Sequence, residues 1–297
     1  MNTHPLGKIL GEPDEAYHAT PAVSKSKLDD FIHLPAYYYG RHISRTIARE
    51  EAKEFDIGKA VHALALEGID AYAARFCLAP EGIDRRTKAG KEAWAAFQAE
   101  HAGKIALEPE DAQIVTACHA TILEHPLAAA LLRGIEPEVG WRVDAGPFLL
   151  QCRTDAFGRA SAELCALMAA QGIEMQPGEP YIADIKTTGE LGLADLREWK
   201  RKFVAYGYHR QGPFYQAVMK DVLGEFPPRF FFIVVSKEAP HGCAVMLPDD
   251  DANERGWHEV KKALSDLRAC YETGVWPGLP TTLQRIGVPA WYGKDTA

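Results

Sequence analysis

The segment Tyr181–Thr188 constrains the fold most strongly, because it places two charged residues inside an apolar run. Its length and its apolar residues predict a strand in the protein interior. Side chains two residues apart on a strand share a face, so Asp184 and Lys186 should point into the same space. Burying both charges is costly unless a partner such as a metal ion compensates. The alternative is an ordinary ion pair at a strand end near solvent.

A second carboxylate falls on another predicted strand. Asp155 follows the apolar run Phe148–Leu150, and a turn signal at Asp144–Pro147 separates this strand from one at Val139–Val143. The two strands therefore predict a hairpin. Carboxylate oxygens are hard ligands that suit magnesium or manganese, so the two aspartates together predict a divalent-metal site.

Polar residues on two predicted helices could join this site. His62 lies beside the apolar stripe of a helix expected at residues 51–67, where a satisfied core histidine is the alternative. Gln211 and Tyr215 lie one turn apart on a single face of another helix. For these two residues, a solvated amide and ordinary helix packing are the alternatives. Each signal is weak by itself.

Taken in chain order, these motifs resemble those of the RecB-like branch of the PD-(D/E)XK nuclease superfamily. The matching stretches are Gly58–His62, Asp155, Asp184–Lys186 and Gln211–Tyr215. Further stretches resemble the nuclease domain of the RecE (exonuclease VIII) family of phages and prophages, namely Val23–Leu28, Pro35–Tyr38, Arg85–Lys91 and Trp94. The resemblance runs from about Tyr17 to Trp276, nearly the whole chain.

The resemblance implies an α/β fold with a restriction-endonuclease-like core, in which helices flank a mixed β-sheet. We expect an N-terminal arm at residues 1–16, one nuclease domain at 17–280 and a C-terminal tail at 281–297. Within the domain, a helical part at 17–135 precedes the catalytic core at 136–280. Residues 159–180 are longer than the hairpin expected between the two acidic strands, so they should form an insertion beside the site.

The resemblance also implies roles for individual residues. The catalytic residues would be Asp155, Asp184, Lys186, Gln211 and Tyr215. The ligands of one or two Mg²⁺ or Mn²⁺ ions would be His62, Asp155, Asp184 and the backbone carbonyl of Ile185. Lys186 would orient or help deprotonate the attacking water, and burial beside a cation should lower its pKa. Glu138 could be a further ligand, and an exposed strand-edge glutamate is an equally good interpretation.

The expected activity is Mg²⁺-dependent digestion of double-stranded DNA from its ends, 5′ to 3′, leaving 3′ single-stranded tails for recombination by strand annealing. By resemblance, the partners would be DNA ends, further copies of the chain in a ring and a single-strand annealing protein. The expected DNA contacts are Arg85, Arg86, Lys88, Lys91, Lys200 and Arg210. Two alternatives stay open: a DNA-binding or assembly module of the same fold without turnover, and a metal-dependent phosphoesterase acting on small substrates.

The charge balance opposes DNA binding. Lysines and arginines number 33 against 41 aspartates and glutamates, a net charge of −8, whereas a surface that binds phosphate should be positive. The basic residues do cluster, at 41–49, 85–91 and 197–210. Such runs are often only solvated faces. If the three clusters converge around the carboxylates, they would form a DNA groove.

The remaining composition bounds the class of protein. No apolar run is long enough to span a membrane and no secretory signal is present, so we expect a cytoplasmic protein. The six cysteines are scattered without a CxxC pair. This spacing argues against a zinc site and against a cysteine-ligated iron–sulfur cluster.

Overall fold

A mixed β-sheet of seven strands forms the centre of the molecule, and helices cover both of its faces. The computed structural model describes residues 4–48, 56–189, 196–225 and 229–288. The described strands are β1 (Gly7–Ile9), β2 (Ala22–Val23), β3 (Phe76–Leu78), β4 (Ile105–Leu107), β5 (Glu136–Asp144), β6 (Leu149–Arg159), β7 (Pro180–Thr188), β8 (Arg229–Ser236) and β9 (Cys243–Met246). The described α-helices are α1 (Asp14–Ala19), α2 (Lys25–His33), α3 (Pro35–Tyr38), α4 (Asp56–His62), α5 (Ile69–Arg75), α6 (Lys88–Glu100), α7 (Pro109–Glu124), α8 (Pro126–Leu131), α9 (Ala162–Ala169), α10 (Arg197–Ala205), α11 (Gln211–Leu223) and α12 (Asp250–Thr273).

The sheet has the strand order β1-β5-β6-β7-β8-β9, and β2 pairs with β6. Strands β5, β6 and β7 are antiparallel neighbours, whereas β7 and β8 run parallel. Strands β3 and β4 form a separate small sheet. A mixed sheet flanked by helices is the predicted fold class, which is therefore confirmed.

Residues on the two faces of the sheet pack into two cores. On β7, Ile182 packs against α11 and α12, while Ala183 and Ile185 pack against α4 and α7. The alternation follows from the pleat, which sends successive side chains to opposite faces. It places Asp184 and Lys186 on the same face as Ile182, next to the start of α11.

The N-terminal segment is part of the sheet, contrary to the expectation of an arm at residues 1–16. Strand β1 pairs antiparallel with β5. Beside it, the guanidinium of Arg142 is almost fully buried, forms an ion pair with Glu12 at 2.8 Å and donates to the carbonyl of Pro5 at 3.2 Å. A buried cation requires such partners, so these contacts hold the segment against the domain.

Two helix predictions need adjustment. The helix expected over 109–132 is interrupted at His125, because helical geometry is disfavoured at the residue before a proline. The ring of His125 instead accepts a hydrogen bond from the backbone amide of Ala128 at the start of α8. The helix expected over 51–67 is described from Asp56 onward, and residues 51–55 lie outside the described part. Its last turn, Ala63–Glu67, has π-helical hydrogen bonding.

The insertion at 159–180 folds back onto the body of the protein. Leu164, Met168 and Met175 are buried in the core that includes α7 and α8. Arg229 binds the end of the segment by an ion pair with Glu179 at 2.8 Å. Strands β6 and β7 still pair across it, from Ala156 opposite Ala183 outward to Arg159 opposite Pro180, because a long loop costs little extra closure entropy.

Within the described residues, no helix has the length and the apolar character that crossing a membrane requires.

Candidate active site

An irregularity in β5 and β6 opens the sheet where the acidic residues lie. Glu138 has a positive φ of 51°, in the left-handed region that non-glycine residues seldom adopt. On the facing strand, Cys152 and Phe157 belong to the same core although they are five residues apart, which strict alternation would forbid. The alternation of side chains therefore breaks between them, around Asp155.

Asp155 lies between β7 and α4. One oxygen of its carboxylate, Oδ2, accepts a hydrogen bond from the backbone amide of Ile185 at 2.9 Å and lies 3.3 Å from Nδ1 of His62. The other ring nitrogen of His62, Nε2, lies 2.8 Å from the carbonyl oxygen of Ile185. His62 therefore bridges the aspartate and the strand carbonyl, as a residue of this site and not of the core.

Gly58 explains how α4 comes close enough for this contact. A Cβ atom at Gly58 would lie 3.2 Å from Oγ1 of Thr187 on β7, which is tighter than an ordinary van der Waals contact. Glycine at this position lets α4 approach the strand, and His62 at the end of the helix then reaches Ile185.

Asp184 is the most deeply buried acid of the site. Its carboxylate is 2% exposed and forms an ion pair with the ammonium of Lys186. It also accepts a hydrogen bond from the side-chain amide of Gln211 at 2.5 Å, and the same amide lies 3.4 Å from the hydroxyl of Tyr215. The structure thus brings Asp184, Lys186, Gln211 and Tyr215 into one connected group.

Glu138 joins the site through Arg153. The guanidinium of Arg153 lies 2.9 Å from the Glu138 carboxylate and 2.5 Å from that of Asp14, and it lies over the ring of Tyr17. Glu138 is mostly buried, so the interpretation as an exposed strand-edge residue is wrong. Ligand atoms of His62, Glu138 and Asp155 all lie within 4.8 Å of one another, an arrangement that could hold a metal ion.

The acids repel one another, and their pKa values show it. Burial, together with the charge of Asp155, raises the pKa of Glu138 to about 8 against the lowering effect of Arg153. Burial and Asp155 also raise the pKa of Asp184 to about 6 against the lowering effect of Lys186. At Glu138 and Asp184 the neighbouring positive charges do not offset burial and the repulsion from Asp155. A divalent cation held by these oxygens would supply the missing charge, so the donor set fits magnesium or manganese.

The expected lowering of the Lys186 pKa is wrong for the chain by itself. Burial does lower the pKa of this ammonium, but the charges of Asp184 and Asp155 outweigh burial and the net direction is upward. The ammonium also lies 5.2 Å from the centre of the Tyr208 ring. Lys186 is therefore held as a cation, which suits offsetting negative charge better than removing a proton.

A second lysine lies close to Lys186. The Lys25 ammonium lies 5.5 Å from the centre of the same Tyr208 ring, donates to the carbonyl of Tyr206 at 2.8 Å and forms an ion pair with Asp29 at 2.6 Å. Burial lowers the pKa of Lys25, and Lys186 contributes to the lowering while Asp29 opposes it. Ser24, next to it, caps α2.

Several of the basic residues expected to contact DNA pair with acids other than Glu138, Asp155 and Asp184. Arg210 is 15% exposed and is held in ion pairs with Asp29 at 3.0 Å and Glu259 at 2.7 Å. Arg210 therefore links α2 to α12. Its surroundings give no support to the expectation that it contacts DNA. Lys200 lies exposed on α10.

The cluster at 85–91 surrounds the start of α6. Arg85 pairs with Glu108 at 2.6 Å, Arg86 with Asp84 at 2.9 Å, and Lys88 with Glu92 at 3.9 Å. Lys91 is exposed on the helix. Of these four residues, Arg85 lines a cavity beside α6. The convergence of the three basic clusters around the carboxylates stays a prediction. Of the first cluster, Arg49 lies outside the described residues.

Sequence reasoning missed Arg153, Tyr208 and Lys25. Arg153 lies two residues before Asp155. On a regular strand this spacing places the two side chains on the same face, and this was the signal available in the sequence. Tyr208 precedes the Gln211 helix by less than one turn, and Lys25 lies within the Val23–Leu28 stretch that carried the resemblance.

Comparisons with known proteins agree with this geometry at the level of the fold. The model of a family described as "PDDEXK-like domain of unknown function (DUF3799)" matches residues 174–282, which include Asp184, Lys186, Gln211 and Tyr215. A crystal structure of a "putative exonuclease" from Eubacterium rectale has the same fold, with a TM-score of 0.57 over 97% of this chain and 99% of that chain at 14% sequence identity. No curated protein matches the chain at a significant level.

Proposed function

We propose that this chain is a divalent-metal-dependent deoxyribonuclease, because it has the PD-(D/E)XK-like fold that its motifs predict. The observation that carries the proposal is the convergence of three acids and Lys186 at the opening between β5, β6 and β7. In detail, we propose a Mg²⁺-dependent exonuclease on double-stranded DNA, acting 5′ to 3′ and leaving 3′ tails for annealing. The RecE-like branch, a ring of subunits and an annealing partner are parts of this proposal.

The residues that would hold the metal are Glu138, Asp155, Asp184 and the carbonyl of Ile185, with His62 beside them. When bound, the ion would supply an acidified water and charge neutralisation at the phosphate. Lys186 would contribute a fixed positive charge next to the phosphate. Gln211 holds the Asp184 carboxylate in place, and Tyr215 supports the Gln211 amide.

Two features favour a DNA-cleaving enzyme over a binding module without turnover. The acids and Lys186 are all present, and two of the acids, Glu138 and Asp184, have pKa values raised by burial and by the charge of Asp155, a pattern typical of functional sites. The group is also open on one side, because the Lys186 side chain is 19% exposed and that of His62 is 27% exposed.

Digestion of end-labelled linear duplex with Mg²⁺ or EDTA tests the proposal. Wild type should release nucleotides only with Mg²⁺, and Asp184→Asn should abolish the release. Asp266→Asn, on the exposed face of α12, is the matched control and should retain activity. Equal release by wild type and Asp184→Asn would remove this catalytic centre, and cleavage of closed circles would replace exonuclease by endonuclease. Labels at the 5′ and 3′ ends separately test the proposed polarity.

A further inference from the structure

We propose that a cavity beside α6 binds nucleobases of a single DNA strand by stacking. The cavity has a volume of about 750 Å³ and is bounded by α6, β4 and the first turn of α4. Its size falls in the range of small-molecule sites. The assignment of DNA as the ligand rests on the proposed nuclease function, whereas the cavity and its aromatic wall do not.

The wall of the cavity is an aromatic ladder on one face of α6. Trp94, Phe97 and His101 are spaced by three and four residues, so they share a helix face. Their ring centres are 5.2 Å apart from Trp94 to Phe97 and 4.4 Å apart from Phe97 to His101. All three rings line the cavity and are only partly buried.

This ladder is not used by the core. An amphipathic helix normally buries its apolar face against its neighbours, yet Gly90 is the buried residue of α6 and the three rings border open space. Aromatic rings left partly exposed in this way can serve as platforms on which bases stack, with little preference among the four bases.

The polar lining suits bases better than phosphate alone. The guanidinium carbon of Arg85 lies 3.5 Å from the centre of the Trp94 ring, and Glu108 pairs with the same guanidinium, so a cation–π contact adds to the platform. Lys104 and Lys237 supply positive charge, while Asp111 supplies a carboxylate. Bases carry both donors and acceptors on their edges, so a mixed lining can satisfy them, whereas the acids disfavour a site built for phosphate.

The position of the cavity fits a strand that leaves the active site. Asp56 and Ile57 line the cavity from the first turn of α4, and His62 ends the same helix. At 1.5 Å per residue, the two ends are about 9 Å apart along the helix axis. A single strand that emerges at the acids could therefore place a base in the cavity within roughly three nucleotides at 3.4 Å each.

Equilibrium binding without turnover tests the inference. The probes are a fluorescein-labelled deoxythymidine oligonucleotide and an abasic strand of the same length, both in EDTA, followed by fluorescence anisotropy. Trp94→Ala should weaken binding of the oligonucleotide about tenfold, the lower part of the range for one stacked base, and should leave binding of the abasic strand unchanged. Trp94→Phe should restore most of the affinity. Tyr39→Ala, an exposed aromatic residue elsewhere, is the control.

A loss of affinity for both strands, or for neither, would overturn the proposal. Tryptophan fluorescence provides a second test of stacking at Trp94. The oligonucleotide should quench this fluorescence in wild type and quench it markedly less in Trp94→Phe. The outcome is independent of the nuclease assay, because EDTA removes turnover. If metal-dependent hydrolysis fails while base-dependent binding at Trp94 persists, the proposed function falls and the base site stands.

Discussion

Replacing Glu138 with glutamine should stabilise the protein when no divalent metal is bound. Burial and Asp155 raise the pKa of Glu138 from 4.5 to about 8, so the folded chain keeps a proton at neutral pH that the unfolded chain releases. A carboxyl with a raised folded pKa loses stability as the pH rises above its unfolded pKa, and the loss stops growing above the folded pKa. Glutamine has the shape of the protonated acid and removes this loss.

The size of the gain follows from the pKa difference. At pH 7 the unfolded pKa lies about 2.5 units below the solution pH, and each unit corresponds to about 1.4 kcal/mol, giving roughly 3 kcal/mol. The Glu138 side chain is 30% exposed, and solvent screening reduces the figure to about 1–2 kcal/mol. For a chain of this size, that raises the Tm by roughly 2–6 °C.

Thermal unfolding in EDTA at pH 5, 7 and 9 measures the effect. The gain of Glu138→Gln should be small at pH 5 and should increase up to about pH 8. Glu136→Gln is the matched control, because this glutamate lies two residues away on β5 and pairs with Lys8 at 45% exposure. Added Mg²⁺ should raise the Tm of wild type more than that of the variant. A lower Tm for Glu138→Gln at pH 7 and 9, or a gain independent of pH, would refute the reasoning.

Three further predictions concern the site and its surroundings. Lys186→Ala should lower the single-turnover rate of duplex cleavage by about 10²- to 10³-fold, because a fixed positive charge beside the phosphate is lost, with duplex affinity retained; an unchanged rate would contradict its role. The affinity for Mg²⁺, measured by calorimetry, should rise from pH 5 to pH 8, because the metal competes with protons for its ligands. Those protons bind Asp184, whose pKa is about 6, and Glu138, whose pKa is about 8. An affinity that does not change with pH would exclude these two residues as ligands. Arg210→Met should lower the free energy of unfolding by about 0.5–1.5 kcal/mol, since Asp29 and Glu259 each lose one of their partners, and it should leave DNA affinity unchanged. Weaker DNA binding by a folded variant would support a DNA contact by Arg210.

The sequence predicted the strands of the site well, because its signals there are local. The apolar run around Asp184, the turn at Asp144–Pro147 and the helix that begins at Gln211 each follow from periodicity or turn chemistry, and the order of the motifs supplied the fold class. The insertion did not disturb the pairing of β6 with β7.

Long-range contacts account for what the sequence did not predict. The role of residues 5–12 depends on Arg142, 130 residues away from Glu12 in the chain, and a buried arginine cannot be recognised from its neighbours. The inward orientation of Glu138 depends on its positive φ. Such a φ is usually predicted from a glycine or an asparagine, and this position has neither. The sequence shows the charge of Arg210, which predicts a DNA contact, but it does not show the partners Asp29 and Glu259 that the fold brings to this residue.

The direct test of the central claim is an anomalous difference map from crystals soaked in Mn²⁺. The account predicts a peak between the carboxylates of Asp155 and Asp184, within coordination distance of the Ile185 carbonyl, that disappears in Asp184→Asn. A map with no peak at these residues under saturating Mn²⁺, or with a peak only at exposed surface carboxylates, would contradict it.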